Sequence, residues 1–224
     1  GVTVLDCGLA STPAMFMTTV DLGCDGAVQL TASHHPYHRN GLKFFLPSGG
    51  LEGSDIEAVL QNAQDGIAPP AASGCCRSVE YMTQYAARLR RLIYDHPLAG
   101  FHIVVDAGNG AGGFYASDVL APLGADVTGS QFLDPDGRFP NHIPNPENEE
   151  AMRSVCEAAV RAHADLGVIF DTDVDRAGCV DAAGREINRN RLVALAAAIA
   201  LEGNAGGTIV TDSITSSGLK TFIE

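Results

Sequence analysis

The feature that most constrains this 224-residue chain is an alternation of short apolar runs with segments of helical period, from one end to the other. Apolar runs of strand length stand at residues 2–5, 28–30, 42–46, 101–105, 126–128, 166–170 and 208–211. Between most of them lie helix-period segments, at about 79–94, 114–123, 147–162 and 191–201. Strands alternating with helices give layered α/β proteins, in which helices cover the faces of a largely parallel sheet. The fold class read from the pattern is therefore α/β, with two layered domains built on mixed, mostly parallel sheets. Punctuation supports the assignment. Ser11-Thr12-Pro13 opens a helix with a hydroxyl cap and a proline in the first turn. Ser54, with Glu57 three residues on, reads as a capping box for a helix at 55–62. The Ala-, Pro-, Gly- and Ser-rich stretch 64–78 reads as a surface excursion, and Asp134 to Pro146 as a long irregular connection. In the helix at 79–94, Tyr81, Tyr85, Leu89 and Leu92 form one stripe, and Asp95-His96-Pro97 ends it. The domain boundary is placed there: 1–97, then 98–204, with 205–224 beginning a third unit.

Composition narrows the function. With 14 Lys+Arg against 27 Asp+Glu the formal net charge is −13, so nucleic acid and anionic membranes are not expected partners. The Ala-rich run 192–201 is far shorter than the ~18 residues of a membrane span and reads as a buried helix. Six scattered cysteines without a CxxC pair (Cys7, Cys24, Cys75, Cys76, Cys156 and Cys179) read as reduced core thiols, which points to a cytoplasmic setting. The chain opens on Gly1 directly before a strand and stops in a new helix, so it is expected to be incomplete at both ends.

Three constellations carry chemistry. The first is Thr31-Ala32-Ser33-His34-His35-Pro36, followed by Asn40-Gly41-Leu42-Lys43. Ser33, on a loop between two strands, is a candidate nucleophile or phospho-acceptor, and Lys43 a candidate acid, base or phosphate clamp. There is no GxSxG elbow for a serine triad, and His34, His35 and His38 lack the framework of a zinc site. The second is Asp171-Thr172-Asp173-Val174-Asp175-Arg176, directly after the strand at 166–170, where ligands of open α/β sheets gather. Three carboxylates at alternate positions suit a hard cation such as Mg²⁺, while Arg176 suits a phosphate. The spacing imitates the start of an EF-hand loop but lacks its Gly and terminal Glu. The third is Gly108-Asn109-Gly110-Ala111-Gly112-Gly113. It satisfies GxGxxG, yet Asp126 precedes the next strand rather than ending it, so the glycines are read as sites of close helix–sheet packing.

Together these stretches resemble the α-D-phosphohexomutase family of phosphomannomutases, phosphoglucomutases and phosphoglucosamine mutases. Thr31 to Pro36 resembles the family's phosphoserine loop, usually TASHNP, with Asn40-Gly41-Leu42-Lys43 in register after it. Asp106-Ala107-Gly108-Asn109-Gly110-Ala111-Gly112 resembles the opening of the second domain, and Phe139 to Pro146 the connecting segment. Asp171 to Arg176 resembles the DGDxDR metal loop. His35 stands where the family has Asn, and Thr172 where it has Gly. The resemblance implies a Mg²⁺-dependent interconversion of hexose 1- and 6-phosphates through a phosphoserine at Ser33 and a bisphosphorylated sugar. It implies metal held by Ser33, Asp171, Asp173 and Asp175, phosphate held by Arg176, acid/base work by Lys43 or His34, and a hexose bisphosphate such as glucose 1,6-bisphosphate as activator. Family members have four domains, so a piece of this length is expected to show little or no turnover alone. Two rival readings are a haloacid-dehalogenase-type phosphatase with Asp171 as nucleophile, and a sugar-phosphate-binding module without turnover. The substrate sugar and the oligomeric state are not legible in the sequence.

Overall fold

The computed structural model describes residues 1–66, 74–93, 97–204, 206–211 and 215–223. Strand β1 (Thr3–Asp6) leads into helix α1 (Thr12–Asp21), whose N-cap Ser11 Oγ accepts the Ala14 N–H at 3.2 Å. Strands β2 (Ala27–Leu30) and β3 (Leu42–Leu46) pair antiparallel, Gln29 opposite Lys43, and β3 turns back into the two-residue β4 (Gly49–Gly50). Helix α2 (Gly53–Gln64) begins earlier than its Ser54 cap predicts: Asp55 accepts the Glu52 N–H at 3.2 Å, so the box is built from Glu52 and Asp55. The excursion at 64–78 is not wholly irregular, because Cys75–Ser78 forms β5, parallel to β1; residues 67–73 lie outside those described.

Helix α3 (Met82–Leu92) buries Tyr81 and Tyr85 against Ala10 and Ala14, but Leu92 is exposed and leaves the stripe. The stop expected at Asp95-His96 lies among residues that are not described. The second half is centred on a four-stranded sheet, in order β6 (Ile103–Asp106), β7 (Leu166–Phe170), β8 (Ala177–Asp181), β9 (Glu186–Ile187). β6 and β7 run parallel, and the hairpins to β8 and β9 add antiparallel edges. Every residue of β6 is buried, as expected for a strand covered on both faces.

One face packs on helix α4 (Glu149–Ala162), where Val104, Ile169 and Val180 meet Ala151, Val155, Ala158 and Ala159. The other face, Val105 and Phe170, packs on Ala116 in the segment 111–123. That segment is a broken helix, a 3₁₀ turn, a π turn and a second 3₁₀ turn in sequence, rather than one α-helix. The strand expected at 126–128 is reduced to isolated bridges, His102 to Asp126 and Asp106 to Gln131.

Two expectations fail toward the end of the chain. Residues 208–211 are not a strand, since no neighbouring strand pairs with them among the described residues. Helix α5 (Arg189–Leu201) is not buried: only Ala197 is, while Leu195 and Ile199 are exposed. It packs against α6 (Ser217–Ile223), which covers one side of it. The cysteines carry free thiols as expected; Cys7 and Cys156 pack against the buried apolar clusters and Cys24 and Cys179 are half-buried, but Cys75 and Cys76 are exposed, so the core reading fails for that pair. No helix among the described residues is long and apolar enough to cross a membrane.

Candidate active site

The loop between β2 and β3 is pinned at its base, where the Thr31 N–H donates to the Gly41 carbonyl at 3.0 Å. At its tip Ser33 adopts φ of 52°, a left-handed conformation held by its N–H donating to Thr31 Oγ1 at 2.8 Å. Non-glycine residues take this conformation at a cost, and such positions concentrate at functional sites. β3 places Lys43 beside the same loop.

The acidic loop closes the hairpin between β7 and β8. Asp171 Oδ1 accepts the Arg176 N–H at 3.0 Å, and the Asp171 N–H donates to the Arg176 carbonyl at 3.2 Å. Val174 is buried at φ of 65°, against Val105, Ala116 and Phe170. A β-branched residue in this region is strained, and here hydrophobic packing holds it. The turn leaves Asp171 and Asp173 buried and Asp175 exposed, each with an oxygen within 4.8 Å of the others.

The two loops meet. Arg176 Nη2 donates to Ser33 Oγ at 2.8 Å, and Arg176 Nε donates to Asp171 Oδ2 at 3.1 Å. Ser33 Oγ itself lies 3.5 Å from Asp171 Oδ2 and 3.3 Å from His34 Nδ1, and Arg176 also reaches that His34 nitrogen. Lys43 Nζ donates to Asp173 Oδ2 and to Asp175 Oδ2, both at 2.6 Å. All seven residues singled out in the sequence, Ser33, His34, Lys43, Asp171, Asp173, Asp175 and Arg176, are therefore brought into one cluster from loops more than 120 residues apart. A cavity of about 270 Å³ opens beside it, lined by Ser33, His35, Asn109, Gly110, Thr172 and Asp173 among others.

Electrostatics follow from burial and like charge. Burial, with Asp173 and Asp175 alongside, pushes the Asp171 carboxyl up to about 7, against the hydrogen bond and charge of Arg176. Asp173 is held below the usual range: burial opposes ionisation, but the bonds from Lys43 and Thr12 outweigh it. Lys43 moves upward because its two carboxylate partners overcome its own desolvation, so it stays an ammonium. His34 moves downward through burial and the neighbouring Arg176. A divalent cation fits this donor set. Three carboxylates converge, and Asp173 Oδ1 is buried with no hydrogen-bond partner among the described residues. Hard oxygen ligands of this kind suit Mg²⁺.

The sequence did not single out the groups that hold these loops. Thr12, noticed only as part of a helix start, donates its hydroxyl to Asp173 Oδ2 at 2.6 Å and its N–H to the Asp173 carbonyl at 2.8 Å. Behind the Gly-rich loop, buried Asp106 bonds His142 Nε2 at 3.0 Å, Gln131 Nε2 at 2.8 Å and the Gly108 N–H at 2.9 Å. Burial alone would lower His142, but Asp106 outweighs it and raises it. The glycines do not serve helix–sheet packing alone. A Cβ on Gly110 would stand 2.6 Å from the Thr172 carbonyl, and the Ala111 N–H donates to that carbonyl at 2.8 Å. The Gly-rich loop thus backs the acidic loop directly, and a motif with variable neighbours gave no signal of that.

Comparison with known proteins agrees with this architecture. Models of the phosphoglucomutase/phosphomannomutase family match the chain twice, alpha/beta/alpha domain I over residues 1–68 and domain II over residues 79–184. A phosphomannomutase of Salmonella montevideo is 35% identical over 223 residues, covering 95% of this chain and 48% of the relative. A phosphomannomutase/phosphoglucomutase of Pseudomonas putida is 33% identical over 225 residues, covering 100% of this chain and 48% of the relative. The crystal structure of a phosphoglucomutase/phosphomannomutase family protein from Burkholderia thailandensis aligns with a TM-score of 0.89 at 30% identity, over 100% of this chain and 50% of that one. The chain thus spans about half the length of these relatives. By fold, by the order of its motifs and by these matches, the chain belongs to the phosphoglucomutase/phosphomannomutase family.

Proposed function

We propose that the chain carries the phosphoryl-transfer half of a phosphohexomutase that interconverts hexose 1-phosphates and hexose 6-phosphates. In this reading residues 1–97 and 98–204 are two domains meeting at the site, and 205–224 begin a third. The observation that supports the proposal best is the convergence on Ser33 Oγ of the Arg176 guanidinium at 2.8 Å and the Asp171 carboxylate at 3.5 Å.

Ser33, Asp171, Asp173 and Asp175 would hold Mg²⁺, which when bound neutralises charge on the phosphoryl group and its carboxylate neighbours. The chain's own residues supply the rest. Phosphoserine adds about −1.5 to −2 of charge, and the Arg176 guanidinium, already bonded to the serine oxygen, clamps it. In transfer to sugar, the bond from phosphorus to Ser33 Oγ breaks as the bond to a sugar oxygen forms. That step starts from the phosphoserine state left by charging, in which Lys43 has already given its ammonium proton to a departing sugar oxygen and His34 holds the proton taken from Ser33 Oγ. Lys43 therefore takes the sugar hydroxyl's proton, and His34 returns one to Ser33 Oγ. The return step runs the same path backwards: His34 Nδ1, 3.3 Å away and kept neutral, takes the Ser33 proton, and the Lys43 ammonium protonates the departing sugar oxygen. A hexose 1,6-bisphosphate charges the serine initially. Family membership favours this over the haloacid-dehalogenase reading, in which Asp171 would be phosphorylated.

Incubation with a hexose 1,6-bisphosphate followed by intact-mass and peptide analysis tests it. The expected result is one hydroxylamine-stable phosphate on the Ser33 peptide, absent in Ser33→Ala. Equal labelling of Ser33→Ala, or a phosphate that hydroxylamine releases, would refute the assignment.

A further inference from the structure

Helix α1 begins with a complete account of its free N–H groups, and one of them leaves the helix. The Ala14 and Met15 N–H groups are taken by Ser11 Oγ and by the Ser11 carbonyl at 2.9 Å, and Pro13 has none. The remaining donor, the Thr12 N–H, goes to the Asp173 carbonyl, 161 residues away in the chain. The Thr12 hydroxyl follows it to Asp173 Oδ2. Thr12 is 7% and Asp173 3% exposed, so neither bond is shared with bulk water.

The two oxygens of Asp173 are consequently unequal. Oδ2 accepts from both Thr12 Oγ1 and Lys43 Nζ at 2.6 Å, which fills its lone pairs. Oδ1 is buried and accepts from nothing among the described residues. We propose that Thr12 is a positioning residue for the cation site: its hydroxyl locks the Asp173 carboxylate so that Oδ1 is the oxygen left for a divalent cation. Its N–H separately ties α1 to the acidic loop. The inference rests on the reading of Asp171, Asp173 and Asp175 as a cation site, and goes beyond it by naming a residue outside both loops that sets the site's affinity.

Substitution separates the two bonds. Thr12→Val keeps the N–H and the side-chain shape but removes the hydroxyl, whereas Thr12→Ser keeps both donors. Calorimetric titration of the chain with MgCl₂ should show affinity lowered about tenfold in Thr12→Val, the scale of a lost bond to a charged acceptor, and within about twofold of wild type in Thr12→Ser. Unchanged affinity in Thr12→Val, or an equal loss in both variants, overturns the proposal by assigning Thr12 a purely structural part. Absence of Mg²⁺ binding by the wild-type chain overturns the cation site itself. A measurement on the unaltered chain guards against a variant that fails to fold. The Thr12 hydroxyl proton should be protected from exchange in NMR spectra and remain so with Mg²⁺ bound, and its loss on Mg²⁺ addition would also overturn the proposal.

Discussion

At the scale of single residues, the site is governed by how three carboxylates tolerate one another. Asp173 is kept ionised by the two donors on its Oδ2, but Asp171 is buried among like charges, and its carboxyl rises to about 7. An acid raised in this way favours the folded chain when protonated. Its stabilising share is complete near pH 4 and is lost as pH rises through about 7. A cation reverses this preference, because it must displace the Asp171 proton to bind. Mg²⁺ affinity of the chain should therefore climb between about pH 6 and pH 8, with proton release that calorimetry in buffers of different ionisation enthalpy detects. In Asp171→Asn that climb should flatten; a wild-type affinity independent of pH over the interval would show that Asp171 is not a ligand.

At the scale of elements, the loops work because rigid pieces present them. The acidic loop hangs on β7, buried between α4 and the broken helix, and is backed by the Gly-rich loop through Gly110 and Ala111. Gly110→Ala should displace that backing, since the new methyl would meet backbone that cannot swing aside. A loss of about 1–3 kcal/mol in denaturant unfolding is expected, with weakened Mg²⁺ binding. Near-wild-type values in both measurements would show the contact to be slack.

Elements with strong local signals were legible in the sequence: β7 matches its apolar run residue for residue, and Ser11 caps α1 as its hydroxyl suggests. Elements that depend on distant partners were not. β5 forms only because β1 lies beside it, and β8 and β9 pair across turns that carry no periodicity of their own. The run at 208–211 has a strand's composition but no strand beside it among the described residues. Likewise the side chains that cluster at the site stand out in the sequence loop by loop, whereas Thr12, Asp106 and His142 act through contacts that span 36 to 161 residues and show only in three dimensions.

At the scale of the molecule, an acidic chain concentrates negative charge at the junction of its two halves and holds it there with Lys43, Arg176 and the first turn of α1. A ligand that binds only the folded state stabilises it, by about 1.4 kcal/mol at ten times its dissociation constant. Mg²⁺ should thus raise the thermal midpoint of the chain by a few degrees where NaCl of equal ionic strength does not, and a chelator should remove the gain. The same midpoint with and without Mg²⁺ would deny the cation any structural hold on the folded chain. The central claim is narrower: a serine oxygen and a triad of acids face one another closely enough to share a cation. Paramagnetic relaxation measures that distance most directly. With Ser33 phosphorylated, stoichiometric Mn²⁺ should broaden its ³¹P resonance beyond detection, and Asp171→Asn should restore the line. A sharp phosphoserine signal with Mn²⁺ bound at the acids would contradict the account.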